Sequence, residues 1–242
     1  MKITEKINLD YNGLIEHGSI TIVVFGASVT HGAFGEGEID YDSVYHKLFR
    51  DKILAVNNYV PVNIINSGIG GTTAYGSLGR FEKQALAFQP DLLIIAFALN
   101  DVNGPLDEYL YALKEMFTKA QARGIEVVFM TPNMMNTYVA EDTPKVHLEY
   151  AKVVAKLQNS GKVDEYIQRA REVAKACGVK VADCYAKWKE LSKTQDTTLL
   201  LDNRINHPSR EMHKLFADTL FETVFGANAH SEQTDKNTMY RG

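Results

Sequence analysis

Ile20-Thr21-Ile22-Val23-Val24-Phe25-Gly26-Ala27-Ser28 is the stretch on which the fold turns. Residues 20–25 are almost wholly apolar and end at a glycine, followed at once by small and hydroxyl-bearing residues. A short continuous apolar run, rather than an alternating one, suits a parallel strand covered on both faces. Four further runs repeat the pattern at 62–65, 92–98, 125–130 and 179–182. Between them the apolar residues take helical spacing. Val44, Leu48, Phe49 and Leu54 share one face, as do Leu106, Leu110, Leu113, Met116 and Phe117, with Gly124 ending the latter segment as a C-cap. Strand and helix in alternation predict a doubly wound α/β sheet with right-handed crossovers.

The 242 residues fit one large domain over 1–227. Residues 133–161 break the rhythm, being long and rich in Met, Tyr and charge. They read as a loop plus one extra helix over the sheet, either a binding element or a surface insertion. Residues 228–242 read as a polar tail. With 45% hydrophobic and 23% charged residues the composition is that of a soluble globular protein. A net charge of -4 speaks against nucleic-acid or anionic-membrane partners. Cys177 and Cys184 are too few for a disulfide framework or a four-thiolate zinc site and read as plain thiols. Residues 1–8 lack the apolar core of a signal peptide, and no run approaches the ~20 apolar residues of a membrane span. A cytoplasmic location is therefore the expectation.

In an open parallel sheet, ligands bind beyond the carboxyl ends of the strands. Three segments fall on that edge: Gly26-Ala27-Ser28-Val29-Thr30, Asn66-Ser67-Gly68-Ile69-Gly70-Gly71-Thr72 and Leu99-Asn100-Asp101. All are small or hydrogen-bonding. A serine hydroxyl becomes a nucleophile only with an adjacent base and a place for the developing oxyanion. Ser28 taken alone reads as an N-cap or turn residue. The glycines at 68, 70 and 71 free backbone N–H groups to meet an anion. They lack the spacing of a dinucleotide fingerprint or a P-loop, so a nucleotide-binding α/β domain is the weaker alternative. Asn100 offers an amide donor on the same edge.

Of the seven histidines, six have ordinary readings. His17 and His230 lie near polar ends, His46 on a helix face, His147 in the insertion and His213 in the last helix. His31 stands close to Ser28 and is a candidate for the substrate side. His207 differs, because it lies in Asn206-His207-Pro208-Ser209, where Pro208 suits the first position of a helix.

Ser28, the Asn66 to Gly71 loop, Asn100-Asp101 and His207-Pro208, in that order, resemble the four blocks of the SGNH/GDSL-like serine hydrolase superfamily over most of the chain. The resemblance implies a three-layer α/β/α, flavodoxin-like fold with a five-stranded parallel sheet. It also implies hydrolysis of esters with no cofactor and no metal. Ser28 would be the nucleophile and His207 the general base, with the N–H groups of Ser28 and Gly71 and the side chain of Asn100 forming the oxyanion hole.

Three positions depart from the superfamily pattern. Ala27 replaces its usual Asp, Ala98 replaces a Gly, and Arg204 stands where the acid of the triad belongs. Asp202, five residues before His207, is taken as the third catalytic residue. Asp183 and a backbone carbonyl orienting His207 in a Ser–His dyad are the alternatives. The expected substrate is a small acyl ester, an acetyl ester of a carbohydrate foremost, with sugars stacking on the polar and aromatic residues of 133–150. A lysophospholipase or short-chain lipase is the alternative within the class, and a non-catalytic binder on the same scaffold the alternative outside it. The oligomeric state stays open.

Overall fold

In the computed structural model, which describes residues 1–226, β1 (Ile20–Gly26) lies inside a five-stranded parallel sheet. It pairs with β2 (Val62–Gly68) on one side and β3 (Leu92–Ala96) on the other, followed by β4 (Glu126–Met130) and β5 (Lys180–Ala182). The order β2-β1-β3-β4-β5 reverses direction at β1, the switch point where doubly wound sheets open a crevice. Gly26 is in register with both Gly68 and Ala96, so the ends of three strands stand level.

Two short helices, α1 (Ile3–Lys6) and α2 (Tyr11–His17), precede β1. Lys6 fixes them to the sheet through Asp91 at 2.8 Å, and Asp91 also accepts the Thr21 N–H. After β1 comes a single turn, α3 (Ser28–His31), then α4 (Tyr45–Val56), α5 (Leu78–Gln84) and α6 (Leu106–Gln121). The second half adds α7 (Leu148–Asn159), α8 (Lys162–Ala176), α9 (Cys184–Leu191) and α10 (Arg210–Phe225). The helices α4, α9 and α10 pack as one layer; α5, α6, α7 and α8 form the other, which makes the molecule a three-layer α/β/α sandwich. The core is aromatic-rich: the Phe25 ring meets the edges of Phe81 and Phe97 at 5.2 and 5.5 Å. Truncating such a ring to Ala costs about 3–5 kcal/mol.

Several boundaries differ from the sequence reading. β2 continues through Asn66 and Ser67 to Gly68, because ladder pairing needs only the backbone. β3 stops at Ala96, and the apolar residues Phe97, Ala98 and Leu99 leave the sheet while staying buried. In α4 the buried face is Tyr45, His46, Phe49 and Ile53, so Leu48 and Leu54 lie only at its margin. Pro208 does not open α10. It forms an isolated bridge with Leu201, and Ser209 is the N-cap. The tail expected over 228–242 lies outside the described residues. Among the described residues, no helix is long and apolar enough to cross a membrane.

Candidate active site

The end of β1 is shaped by close approach. A Cβ on Gly26 would sit 2.2 Å from Thr30 Oγ1 and 2.6 Å from the Ala96 carbonyl, and one on Gly68 would sit 2.4 Å from the His31 N–H nitrogen. Glycine at both positions lets α3 fold directly onto the strand ends. Ser28 is the first residue of that turn, and its cap Ala27 offers no side-chain acceptor. The first amides of a helix have no intrahelical partner, which leaves the Ser28 N–H without a bond inside the turn.

The loop after β2 passes beside this serine. A Cβ on Gly70 would lie 3.7 Å from Ser28 Cβ, and Gly71 takes the left-handed conformation at φ 77°. Asn100 Nδ2 donates to the Thr72 carbonyl at 2.9 Å, which leaves its second N–H uncommitted to that bond. Asp101 Oδ1 accepts the Ala74 N–H at 2.7 Å, while its buried Oδ2 has no protein partner. Burial holds this carboxyl far above the usual range, at about 7. Residues 100 and 101 together therefore clamp the segment that follows Gly71. Arg80 fastens the other side, donating to the carbonyls of Gly26 and Ser67 and lying 4.2 Å over the Phe25 ring.

His207 arrives from the opposite end of the chain. The Asn203 side chain accepts the N–H groups of Ile205, Asn206 and His207 at 2.9–3.0 Å, and Arg204 turns into the left-handed region at φ 60°. The Asp202 N–H closes the loop on the His207 carbonyl at 2.7 Å. This winding places His207 Nε2 3.0 Å from Ser28 Oγ and Nδ1 2.9 Å from the Phe34 carbonyl. A carbonyl only accepts, so Nδ1 carries the proton and the Nε2 lone pair faces the serine hydroxyl. Burial lowers the His207 pKa, opposed by the Phe34 carbonyl and the charge of Asp202. The ring is thus neutral at pH 7.

The position expected for an orienting carboxylate is filled by the Phe34 carbonyl. The Asp202 carboxylate instead approaches Arg210 at 3.6 Å and reaches His207 through its charge alone. Asp183 lies elsewhere, at the end of β5. It caps α9, accepts from Thr131 and pairs with Arg171 at 2.7 Å. Arg204 pairs with Asp142 at 2.9 Å and donates to the carbonyls of Leu199 and Leu201, tying the His207 loop to the 133–147 segment. That segment is also stitched on by Asn136 N–H to the Ile205 carbonyl and by Asn133 Nδ2 to the Asn206 carbonyl.

A small apolar cavity of about 30 Å³ adjoins Ser28, lined by Ala27, Ala98, Leu99, Met130, Pro132 and Phe216. Space of that order holds one or two water-sized groups. A Cβ on Gly70 would lie 3.9 Å from His31 Nδ1 as well as 3.7 Å from Ser28 Cβ, and the hydroxyl of the exposed Tyr41 is 3.5 Å from His31 Nε2. His46 and His213 are buried, with burial pulling them down to about 4 and about 3, so both stay neutral. His17 and His147 stand beside Glu16 and Glu36, and His230 lies outside the described residues. Phe34, Arg80 and Arg210 carry no motif; the first acts through its backbone, and the other two are ordinary cations until the fold aims them.

Residues 24–215 match the GDSL-like Lipase/Acylhydrolase family. An acetylxylan esterase of Geobacillus stearothermophilus is 24% identical over 207 residues, which is 80% of this chain and 83% of that protein. The crystal structure of an acetylxylan esterase from the same organism superposes with a TM-score of 0.66 at 22% identity, covering 85% of this chain and 94% of that one. An α/β hydrolase enzyme from the metagenome of Lake Arreo, Spain, gives 0.65 at 18% identity, covering 86% and 97%. These two likenesses are of fold.

Proposed function

The chain belongs to the GDSL-like lipase/acylhydrolase family and is a carboxylic ester hydrolase, and we propose that it works through an acyl-enzyme on Ser28 with His207 as general base. The observation that carries the reading is the 3.0 Å contact between Ser28 Oγ and His207 Nε2, with the imidazole in the tautomer a base requires. Ser28 Oγ attacks the ester carbonyl carbon while Nε2 takes its proton. The oxyanion is held by the N–H groups of Ser28 and Gly71 and by the Asn100 amide. Collapse expels the alcohol, which receives the proton from His207. Water then attacks the acyl-enzyme by the same route and releases the carboxylic acid.

The favoured acyl group is acetyl. The cavity of about 30 Å³ beside Ser28 suits a methyl group. A carbohydrate is the favoured alcohol, supported by the exposed Tyr41 paired with His31 beside the Gly70 loop and by the acetylxylan esterase relative. The test is hydrolysis of p-nitrophenyl acetate and of acetylated xylo-oligosaccharides, beside p-nitrophenyl octanoate. Turnover of the acetyl esters, abolished in Ser28→Ala, is expected. Full activity in that variant removes Ser28 from the reaction; preference for octanoate removes the small-acyl assignment.

A further inference from the structure

A carboxylate beside a catalytic histidine does two things: it fixes the ring and its tautomer, and it supplies negative charge for the imidazolium. The Phe34 carbonyl does only the first, and only as well as it is itself held. Phe34 sits in a small hairpin that leaves α3 at Gly32. The hairpin is closed by Asp40 N–H to the Gly32 carbonyl at 2.9 Å, Phe34 N–H to the Glu38 carbonyl at 3.0 Å and a bridge between Ala33 and Ile39. Its tip, Glu36 to Glu38, is exposed. The hairpin's own hydrogen bonds do not secure it to α10, where the His207 loop ends.

Arg210, the first residue of α10, makes that connection. Its guanidinium carbon lies 4.6 Å from the centre of the buried Phe34 ring, which also meets the His213 ring at 4.6 Å. Nε binds Asp40 at 2.9 Å, one terminal nitrogen binds Glu38, and the other faces Asp202 at 3.6 Å. One rigid fork thus ties both arms of the hairpin to the turn that carries His207. Three carboxylates surround one guanidinium, and the charge of one of them, Asp202, reaches the imidazole.

We propose that Arg210 is a positioning residue for His207, and that the two jobs of the missing acid are divided here. The Phe34 carbonyl, held by Arg210, sets the ring and tautomer, while the Asp202 carboxylate supplies the charge. The inference rests on His207 being the general base. Asp202 lies on the imidazole's own loop, the neutral His213 and Arg210 lie on α10, and Glu38 and Asp40 lie on the hairpin, both bound to Arg210. Asp40 remains ionised because hydrogen bonds from Ser43, foremost, hold it at about 2.

The test combines p-nitrophenyl acetate kinetics, fluorophosphonate labelling of Ser28 and ring ¹⁵N shifts of His207, on the full chain and on Arg210→Ala, Arg210→Lys, Glu38→Gln and Asp202→Asn. Arg210→Ala is expected to lower kcat about 10²-fold with KM within about threefold, less than the ~10⁴ loss caused by the wrong tautomer in a triad protease. Its ¹⁵N shifts should change from a single Nδ1–H form to a tautomer mixture. Arg210→Lys recovers only part, lacking the fork. Asp202→Asn keeps the tautomer but moves the acid limb of kcat/KM to lower pH. Glu38→Gln, at an exposed site, reproduces the Arg210→Ala effect in smaller measure and carries the test should Arg210→Ala not fold. A folded Arg210→Ala, or a Glu38→Gln, with native tautomer and kcat within twofold overturns the inference alone. A parent protein that neither turns over ester nor takes the label overturns the catalytic reading beneath it.

Discussion

Asp101 offers a test whose size follows from its surroundings. Its carboxyl is 4% exposed, accepts one N–H at Oδ1 and has no protein partner at Oδ2, so burial raises it from 3.8 to about 7. In the unfolded chain the group ionises near its ordinary value; in the folded chain it keeps its proton until near neutrality. Between those two points the folded state binds one proton more, so stability is greatest below the lower pKa and falls as pH rises to the upper one. At 1.36 kcal/mol per pH unit the total is about 4 kcal/mol. Asp101→Asn cannot titrate. Its free energy of unfolding minus that of the parent should therefore climb by about 4 kcal/mol from pH 4 to pH 7 and then level off. Urea unfolding of both proteins at half-unit pH steps measures the difference, and subtraction cancels every other titrating group. The amide has its own constant cost at the Oδ2 position, which displaces the curve without tilting it. A difference that stays flat across pH 4–7 refutes the argument.

Asn100→Ala removes the side-chain donor and one tie to the Gly71 loop, so kcat should drop 10²–10³-fold, the range for an oxyanion donor. A drop below threefold takes Asn100 out of the oxyanion hole. Ala98→Gly widens the cavity and should raise the butyrate to acetate ratio of kcat/KM, whereas Ala98→Val should lower it; an unchanged ratio in both places the acyl group elsewhere. Because burial depresses His207, the acid limb of kcat/KM should fall below the ordinary histidine value of 6.5, with activity rising as pH increases through it. A limb at or above 6.5 contradicts that environment.

The five strands are legible because each is a block of apolar residues short enough to cross a sheet once. Where reading fails at residues 97–99, the cause is that apolarity reports burial and not hydrogen bonding. Phe97 and Ala98 are as buried off the sheet as Ile94 and Ile95 on it. At α4 the spacing of Val44, Leu48, Phe49 and Leu54 finds the buried Val44 and Phe49 but counts methyl groups at 48 and 54, while Tyr45 and His46 complete the buried face. The hydroxyl of Tyr45 meets Thr30, and the His46 ring meets the Thr30 carbonyl. Ser28 and His207 are identifiable as partners from position and order. The group at Nδ1 is not, since a main-chain carbonyl is common to every residue and the hairpin that aims Phe34 is held by side-chain ties to Arg210. Asp202 attracts attention as the nearest acid in sequence. The Asn203 turn, however, directs its carboxylate to α10, and only its backbone bonds to His207.

Ser28 and His207 are separated by 179 residues along the chain. As the polypeptide leaves the ribosome, the serine and both elements proposed to hold the oxyanion emerge first, and the imidazole follows 107 residues after Asn100. The 133–147 segment, on which the histidine loop rests, must also be in place before the ring can reach the hydroxyl. On the proposed mechanism an unfinished chain would have the pocket and the serine but no base, and reactivity would begin only once the C-terminal part has docked.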